Sequence, residues 1–353
     1  MLPSILRIFI PAILSFIAGI LITPLITHFL YKYKAWKKVG GKTTIYGTSA
    51  QEFNRLKGEG ETKTPRMGGI VIWGSALITI SVIYILTKLF PYSALFEELN
   101  YLSRSQTLIP VGGMMVGAIF GLLNDFYDVT QNGKGIRLKI RLLLISILST
   151  ILGWWFYQKL GVTDINLPFD NSLELGVFII PFFVFITLTL YASGVIDGID
   201  GLSGGVFASV FSAYTAIAFI QNQFELAIFS ATVVGGIMAF LWFNIPPARF
   251  WMTETGSMAL TLSLSIIVFM TDSLGDGNGI ILLPIAGLPL LATVSSNVLQ
   301  LLFRRFTNKK LFRIAPLHHH FEATGWPSYK VTMRYWIISI FCAVLSIIIA
   351  TII

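Results

Sequence analysis

Apolar runs of roughly 17 to 25 residues, the length an α-helix needs to cross the hydrocarbon core of a bilayer, are what this chain is made of. They lie near 5–30, 68–90, 108–123, 140–157, 175–191, 204–220, 226–243, 258–271, 280–303 and 331–353. Backbone amides find no water inside a bilayer and must bond within their own segment, so the runs are expected to be helices. The expected fold is an all-α membrane protein of about ten transmembrane helices, a single polytopic domain over 1–353. At 55% hydrophobic and 12% charged residues, with mean hydropathy +0.77, the chain is too apolar for an ordinary soluble domain. The third and eighth runs are short, which suggests tilting or helical extensions beyond the apolar part.

An even number of spans puts both termini on one side. The loops after the odd-numbered spans, with their edges, hold all Lys and Arg except Arg7, Lys88, Arg104 and Lys159, so those loops are expected to be cytoplasmic and both termini outside. The net charge of +8 therefore reads as orientation and contact with anionic lipid, and no nucleic-acid partner is expected. The single cysteine, Cys342, lies in an apolar run, which excludes a disulfide framework or a multi-cysteine metal site. The first run shows no Ala-x-Ala-like cleavage signal and is expected to remain as a span.

Acid-bearing polar motifs gather in these same loops. Ile196-Asp197-Gly198-Ile199-Asp200-Gly201 places two carboxylates beside a span, where an acid is costly and calls for a function. Their i, i+3 spacing puts Asp197 and Asp200 on one face if the segment is helical, as a shared metal or phosphate would need. Asn124-Asp125-Phe126-Tyr127-Asp128 opens the second such loop and is followed by Lys134, Arg137, Lys139 and Arg141. Acids followed by spaced cations suit Mg²⁺ and phosphates, while a solvated loop is the plainer alternative. Thr64-Pro65-Arg66-Met67-Gly68-Gly69 reads as a helix start or a phosphate-facing turn. Glu254, before Thr255-Gly256-Ser257, reads as a metal ligand or as a charge stabilising a helix N-terminus. In Pro316-Leu317-His318-His319-His320-Phe321-Glu322, consecutive helical residues point about 100° apart, so three adjacent histidines cannot share one metal. One or two of them facing a diphosphate or nucleotide is the better expectation. No internal repeat of the kind transporters carry is apparent, and an enzyme joining a soluble phosphorylated substrate to a lipid fits better.

These motifs resemble the polyprenyl-phosphate N-acetylhexosamine-1-phosphate transferases over most of the chain. The likeness is strongest at residues 64–69, 197–201, 255–257 and 316–322, followed by Gly325-Trp326, Lys330-Val331 and Arg334-Tyr335-Trp336. The His-bearing stretch is similar to the branch that accepts a muramoyl-pentapeptide nucleotide. The resemblance implies an active site on the cytoplasmic face of a bacterial inner membrane and one bound Mg²⁺. It also implies transfer of phospho-MurNAc-pentapeptide from UDP-MurNAc-pentapeptide to undecaprenyl phosphate, with release of UMP. By position it implies catalytic roles for Asp125, Asp197, Asp200, His318 and His319, and metal ligation by Glu254 and Asp197. Substrate contacts fall to Asn124, Asp128, Lys134, Arg141, Thr255, Gly256, Ser257 and His320. Membrane lipid is a further expected partner, and a homodimer is left open.

The chain departs from the family at several of these positions. Asn124 replaces the first acid of an Asp-Asp pair, Tyr191 and Gly194 replace an Asn-x-x-Asn pair, and Glu254 replaces an Asp; Thr293 and Ser328 stand where Glu is usual. Asp128, i+3 from Asp125, is expected to restore part of the charge lost at Asn124. Rival readings are a transferase for another UDP-sugar and a silent homologue that binds lipid carrier or partner proteins. A transporter is a more distant one.

Overall fold

A computed structural model describes residues 3–38, 40–41, 54, 60–131, 135–169, 171–274 and 277–353. Lys134 lies outside them. The long helices are α1 (Ser4–Lys32), α2 (Ile70–Leu89), then after the short α3 (Ala94–Leu99), α4 (Leu108–Thr130), α5 (Leu138–Leu160), α6 (Ile179–Ser193), α7 (Leu202–Ile220), α8 (Phe224–Asn244) and α9 (Thr253–Ser273). α10 (Gly279–Ala286) and α11 (Leu288–Thr307) follow, bent at 73° to one another, then the short α12 (Leu317–Ala323) and α13 (Ser328–Ala350). Among the described residues nine helices are long and apolar enough to cross a membrane, and the bent pair taken as one span makes ten. The protein is a multi-pass membrane protein.

Two features correct the sequence expectation. The short third and eighth runs carry the helical extensions expected as one alternative, making helices of 23 and 21 residues, but the extensions take in residues assigned to loops. Asn124, Asp125 and Asp128, expected in a loop, lie in the last turns of α4, and Glu254 through Ser257 lie in the first turns of α9. The helical hydrogen-bond ladder carries on where the apolar run stops, because charged residues on a helix end cost nothing in backbone bonding. The second feature is a two-stranded antiparallel hairpin, β1 (Asp164–Leu167) with β2 (Asn171–Glu174), inserted between α5 and α6. It is held at the end of α9 remote from Glu254, where the Asp272 carboxylate accepts from the backbone N–H groups of Asn166 and Ile280, each at 3.1 Å.

The bundle is built around α9, which is buried almost end to end although it carries Thr255, Ser257, Thr261, Ser263, Ser265, Thr271 and Asp272. Interior position rather than apolarity distinguishes it. Lipid-facing helices show the reverse: α13 exposes Met333, Ile337, Ile340, Phe341 and Val344.

Helices in lipid gain little from hydrophobic burial against each other, so they associate through close packing of small residues. α4 does so with Gly113, Gly117 and Gly121, spaced every fourth residue along one face. A Cβ at Gly117 would fall on the carbonyl of Met258, and one at Gly121 on the carbonyl of Glu254. The next position in the stripe is Asp125. The contact that brings α4 onto α9 therefore also delivers its carboxylate to the start of α9.

Gly121→Ala is expected to destabilise the protein by about 1–3 kcal/mol, since the methyl meets backbone that cannot turn aside. Gly112→Ala, with nothing within 4 Å of the added Cβ, serves as the control and should hold the wild-type melting temperature in detergent.

Candidate active site

The site forms where the start of α9 meets the end of α4, the turn between α6 and α7, and the segment preceding α2. Backbone hydrogen bonds tie that last segment to the approach to α9: Trp251 N–H donates to Pro65 O (2.9 Å), Gly68 N–H to Trp251 O (2.8 Å) and Gly69 N–H to Met252 O (3.2 Å). Gly69 caps α2, as a helix start, and its missing side chain lets the backbone lie against that of Gly256.

Asp125 is fully buried. Its Oδ2 accepts three hydrogen bonds, from Thr253 Oγ1 (2.5 Å), Thr255 N (2.8 Å) and Thr255 Oγ1 (2.6 Å). Its Oδ1 accepts none and lies 3.9 Å from Arg66 Nη2. Arg66 Nη1 reaches Asp128 Oδ2 at 3.1 Å, so one guanidinium spans both acids of the α4 end. Asp128 does share a face with Asp125. Beyond it, Lys37 stands 4.0 Å from Asp128 and 3.2 Å from Glu61, and both Lys37 and Glu61 are buried.

Thr253 is the knot of this arrangement. Besides its bond to Asp125, its Oγ1 accepts from Met67 N–H (3.1 Å) and its own N–H donates to Asp197 Oδ2 (2.7 Å). Its φ of +53° is a left-handed conformation that a β-branched residue rarely adopts. Bonds to three separate segments hold it there, the pattern of backbone strain retained at a working site.

Asp197 and Asp200 do not share a helical face. Residues 194–196 form a single 3₁₀ turn, and Gly201, at φ +74°, turns the chain into α7, so the carboxylates diverge. Asp197 accepts from Ser203 Oγ (2.6 Å) and Thr253 N–H. Burial holds its carboxyl above the ordinary range, against the pull of those bonds and of Arg66. Asp200 instead accepts from Ala248 N–H (3.1 Å) and Trp251 Nε1 (3.0 Å), bracing the segment that carries Pro246 and Pro247.

Glu254 pairs with Arg141 from α5, with the side chains about a quarter and a fifth exposed. Tyr191 lies within electrostatic reach of both. Asn124 Oδ1 accepts from Ile136 N–H (3.1 Å) and so fastens the chain entering α5. Thr255 is committed to Asp125, Gly256 to the contact with Gly69, and Ser257 faces Gly194.

The histidines separate as helical geometry requires. His318 and His319 lie together, with ring centroids 4.4 Å apart, against the Asp197–Gly198 turn; a Cβ at Gly198 would stand 2.7 and 2.6 Å from their Nε2 atoms. His319 Nδ1 is 2.7 Å from Glu322 Oε2. His320 turns away, accepting from Arg313 N–H (3.2 Å) and meeting Phe312 edge-on.

The structure thus gathers Asp125, Asp128, Asp197, Glu254, Arg141, Thr255, His318 and His319 at one end of the bundle. Sequence reasoning missed Lys37, Glu61, Ser203 and Thr253. Only Arg66, inside a quoted motif, carried a signal.

Residues 107–272 match the family described as Glycosyl transferase family 4. Over nearly full length the chain is similar to phospho-N-acetylmuramoyl-pentapeptide-transferases. It is 31% identical over 345 residues to that of Geobacillus sp. (strain WCH70), covering 95% of each chain. It is 32% identical over 363 residues to that of Rickettsia massiliae (97% of this chain, 91% of the relative), and 29% over 339 residues to that of Bacillus subtilis, 95% of each. The chain belongs to glycosyl transferase family 4. That family is one of polyprenyl-phosphate phosphosugar transferases, and it implies a UDP-sugar and a polyprenyl phosphate as substrates.

Arg66→Met should destabilise the family 4 fold by about 3–5 kcal/mol, because it leaves buried carboxylates without their shared cation. Asp128→Asn in the same chain should restore part of the melting temperature, and a double-mutant cycle in detergent measures the coupling.

Proposed function

We propose that this chain transfers phospho-MurNAc-pentapeptide from UDP-MurNAc-pentapeptide to undecaprenyl phosphate, at the cytoplasmic face of a bacterial cell membrane with both termini outside. The observation that carries the reading is the contact of His318 and His319 with the Asp197–Gly198 turn. The stretch that resembles the muramoyl-pentapeptide branch thereby borders the acids of the transferase site. The names of the full-length relatives support it.

In the proposed reaction an oxygen of the lipid phosphate attacks the sugar-bearing phosphorus. A new P–O bond joins the two phosphates, the bond to the α-phosphate breaks, and UMP leaves with its electron pair. Such a transfer needs positioning and neutralised charge more than covalent help. Arg66 and Arg141 face the phosphates as planar donors. Asp197, held by Ser203 and Thr253, orients the acceptor side, and His318 and His319 contact the nucleotide-linked substrate.

Mg²⁺ belongs to this proposal. Among the described residues no three His, Cys, Asp or Glu side chains converge as a metal cage. Mg²⁺ commonly needs only one or two carboxylates, keeping water and substrate phosphates as its other ligands. Glu254 is an accessible carboxylate and Asp125 Oδ1 a buried oxygen without a hydrogen bond, so the donor set fits that mode. Bound there, the ion would neutralise the diphosphate charge.

Detergent-purified protein given both substrates should release UMP with Mg²⁺ and stop on adding EDTA, and Glu254→Gln should reduce turnover by about 100-fold or more. Failure to release UMP, from folded protein that binds the nucleotide, overturns the reading. Tyr191 and Gly194, in place of the Asn pair, favour one rival, a transferase for another UDP-sugar. Turnover of UDP-GlcNAc in preference to the muramoyl nucleotide would establish it.

A further inference from the structure

Glu254 is the accessible acid of the site, yet a cation of the chain already sits on it. Arg141 Nη1 bonds Glu254 Oε1, while Arg141 Nε is buried with no hydrogen-bond partner. The guanidinium is thus held through one nitrogen and left unsatisfied at another. Nearby oxygens that could share a metal are few: Gly194 contributes no side chain, Thr255 is bonded to Asp125 and Asn124 Oδ1 to Ile136, which leaves Asp125 Oδ1 and the accessible Glu254 carboxylate. A divalent ion arriving here must take the same carboxylate that Arg141 uses.

We propose that Arg141 is an exchangeable counter-cation: it and a divalent metal compete for Glu254, and the displaced guanidinium turns to the phosphoryl oxygens of the nucleotide. The inference rests on the transferase reading for what the metal and nucleotide do there. Arginine suits the exchange. Its fork of donors matches phosphate as well as carboxylate, and it is more weakly hydrated than an ammonium, so moving between the two anions costs little solvation. The pair is neither fully buried, where breaking it would be prohibitive, nor free in solvent, where it would be worth little. Arg141 acts here as a substrate-binding residue, and the chain leading into α5 is fastened by Asn124, which bonds residue 136 five positions upstream.

Mn²⁺ titration of the full-length protein in detergent, followed by the EPR signal of the free ion, tests the competition without turnover. Arg141→Met should bind Mn²⁺ roughly tenfold more tightly than wild type and bind UDP with metal roughly tenfold more weakly. Arg141→Lys, which keeps a cation with a poorer fit, should shift both in the same direction but less, and it decides the matter if the Met variant fails to fold. Glu254→Gln should abolish the tight Mn²⁺ site in either background. Mn²⁺ affinity that stays equal to wild type or falls in folded Arg141 variants overturns the proposal. The transferase reading itself stands or falls on UMP release, so a protein without turnover still shows or lacks the competition.

Discussion

A buried carboxylate brought to helix α9 by backbone contact is what the arrangement at this end of the bundle depends on. The glycine face of α4 allows its axis to approach α9 more closely than any larger side chain would, and the residue one turn beyond Gly121 on that face is Asp125. An anion placed there must be compensated, or the gain of packing is lost to desolvation. Thr253 and Thr255 donate to one oxygen, and Arg66 approaches the other. Arg66 comes from the segment before α2, so compensating the acid also fixes that segment, and through its backbone bonds the approach to α9. Packing, charge and chain path are one problem solved at one place.

The same logic explains why acids here are matched by cations from other elements. Asp128 takes the second arm of Arg66, Lys37 extends the network to Glu61, and Glu254 takes Arg141. Each pair crosses between segments distant in sequence, so the network acts as a set of ties as well as a charge store. A phosphorylated substrate entering such a site finds guanidinium groups held in place but engaged only in part, the condition under which exchange of partners is easy.

Much of this was legible in the sequence and some could not be. The spans follow from apolar length, because the bilayer imposes it whatever the packing. Their ends do not: a reading that stops at Asn124, or starts after Ser257, trims helices at their functional turns, since hydropathy falls there while the hydrogen-bond ladder continues. The 73° bend between α10 and α11 falls inside one apolar run and leaves no hydropathy mark. The expected common face of Asp197 and Asp200 assumed a helix that Gly201, in a left-handed conformation, excludes. Lys37 and Glu61 pair although they stand 24 residues apart in sequence, and no local pattern marks either one. The divergence of His320 from His318 and His319, by contrast, follows from helical geometry alone.

The departures at the site are better understood as a coordinated change than as decay. A residue that has merely lost its role should leave unpaired polar groups or gaps, whereas Asn124, Gly194, Thr293 and Ser328 are bonded or filled. Asn124 fastens Ile136, Thr293 bonds Pro289 within α11, and Ser328 bonds Glu322, the partner of His319. A Cβ at Gly194 would stand 3.1 Å from the Ser257 Cβ and 3.2 Å from its Oγ, so a side chain restored there would press on Ser257 in the first turns of α9. Asn124 also carries no charge beside Asp125, and Arg66 is shared between the two acids that remain, Asp125 and Asp128. Agreement among packing, hydrogen bonding and charge at independently altered positions is what a maintained structure shows. Restoring family residues one at a time would break that agreement, since an aspartate at 124 or an asparagine at 194 arrives without the partners that its neighbours no longer supply.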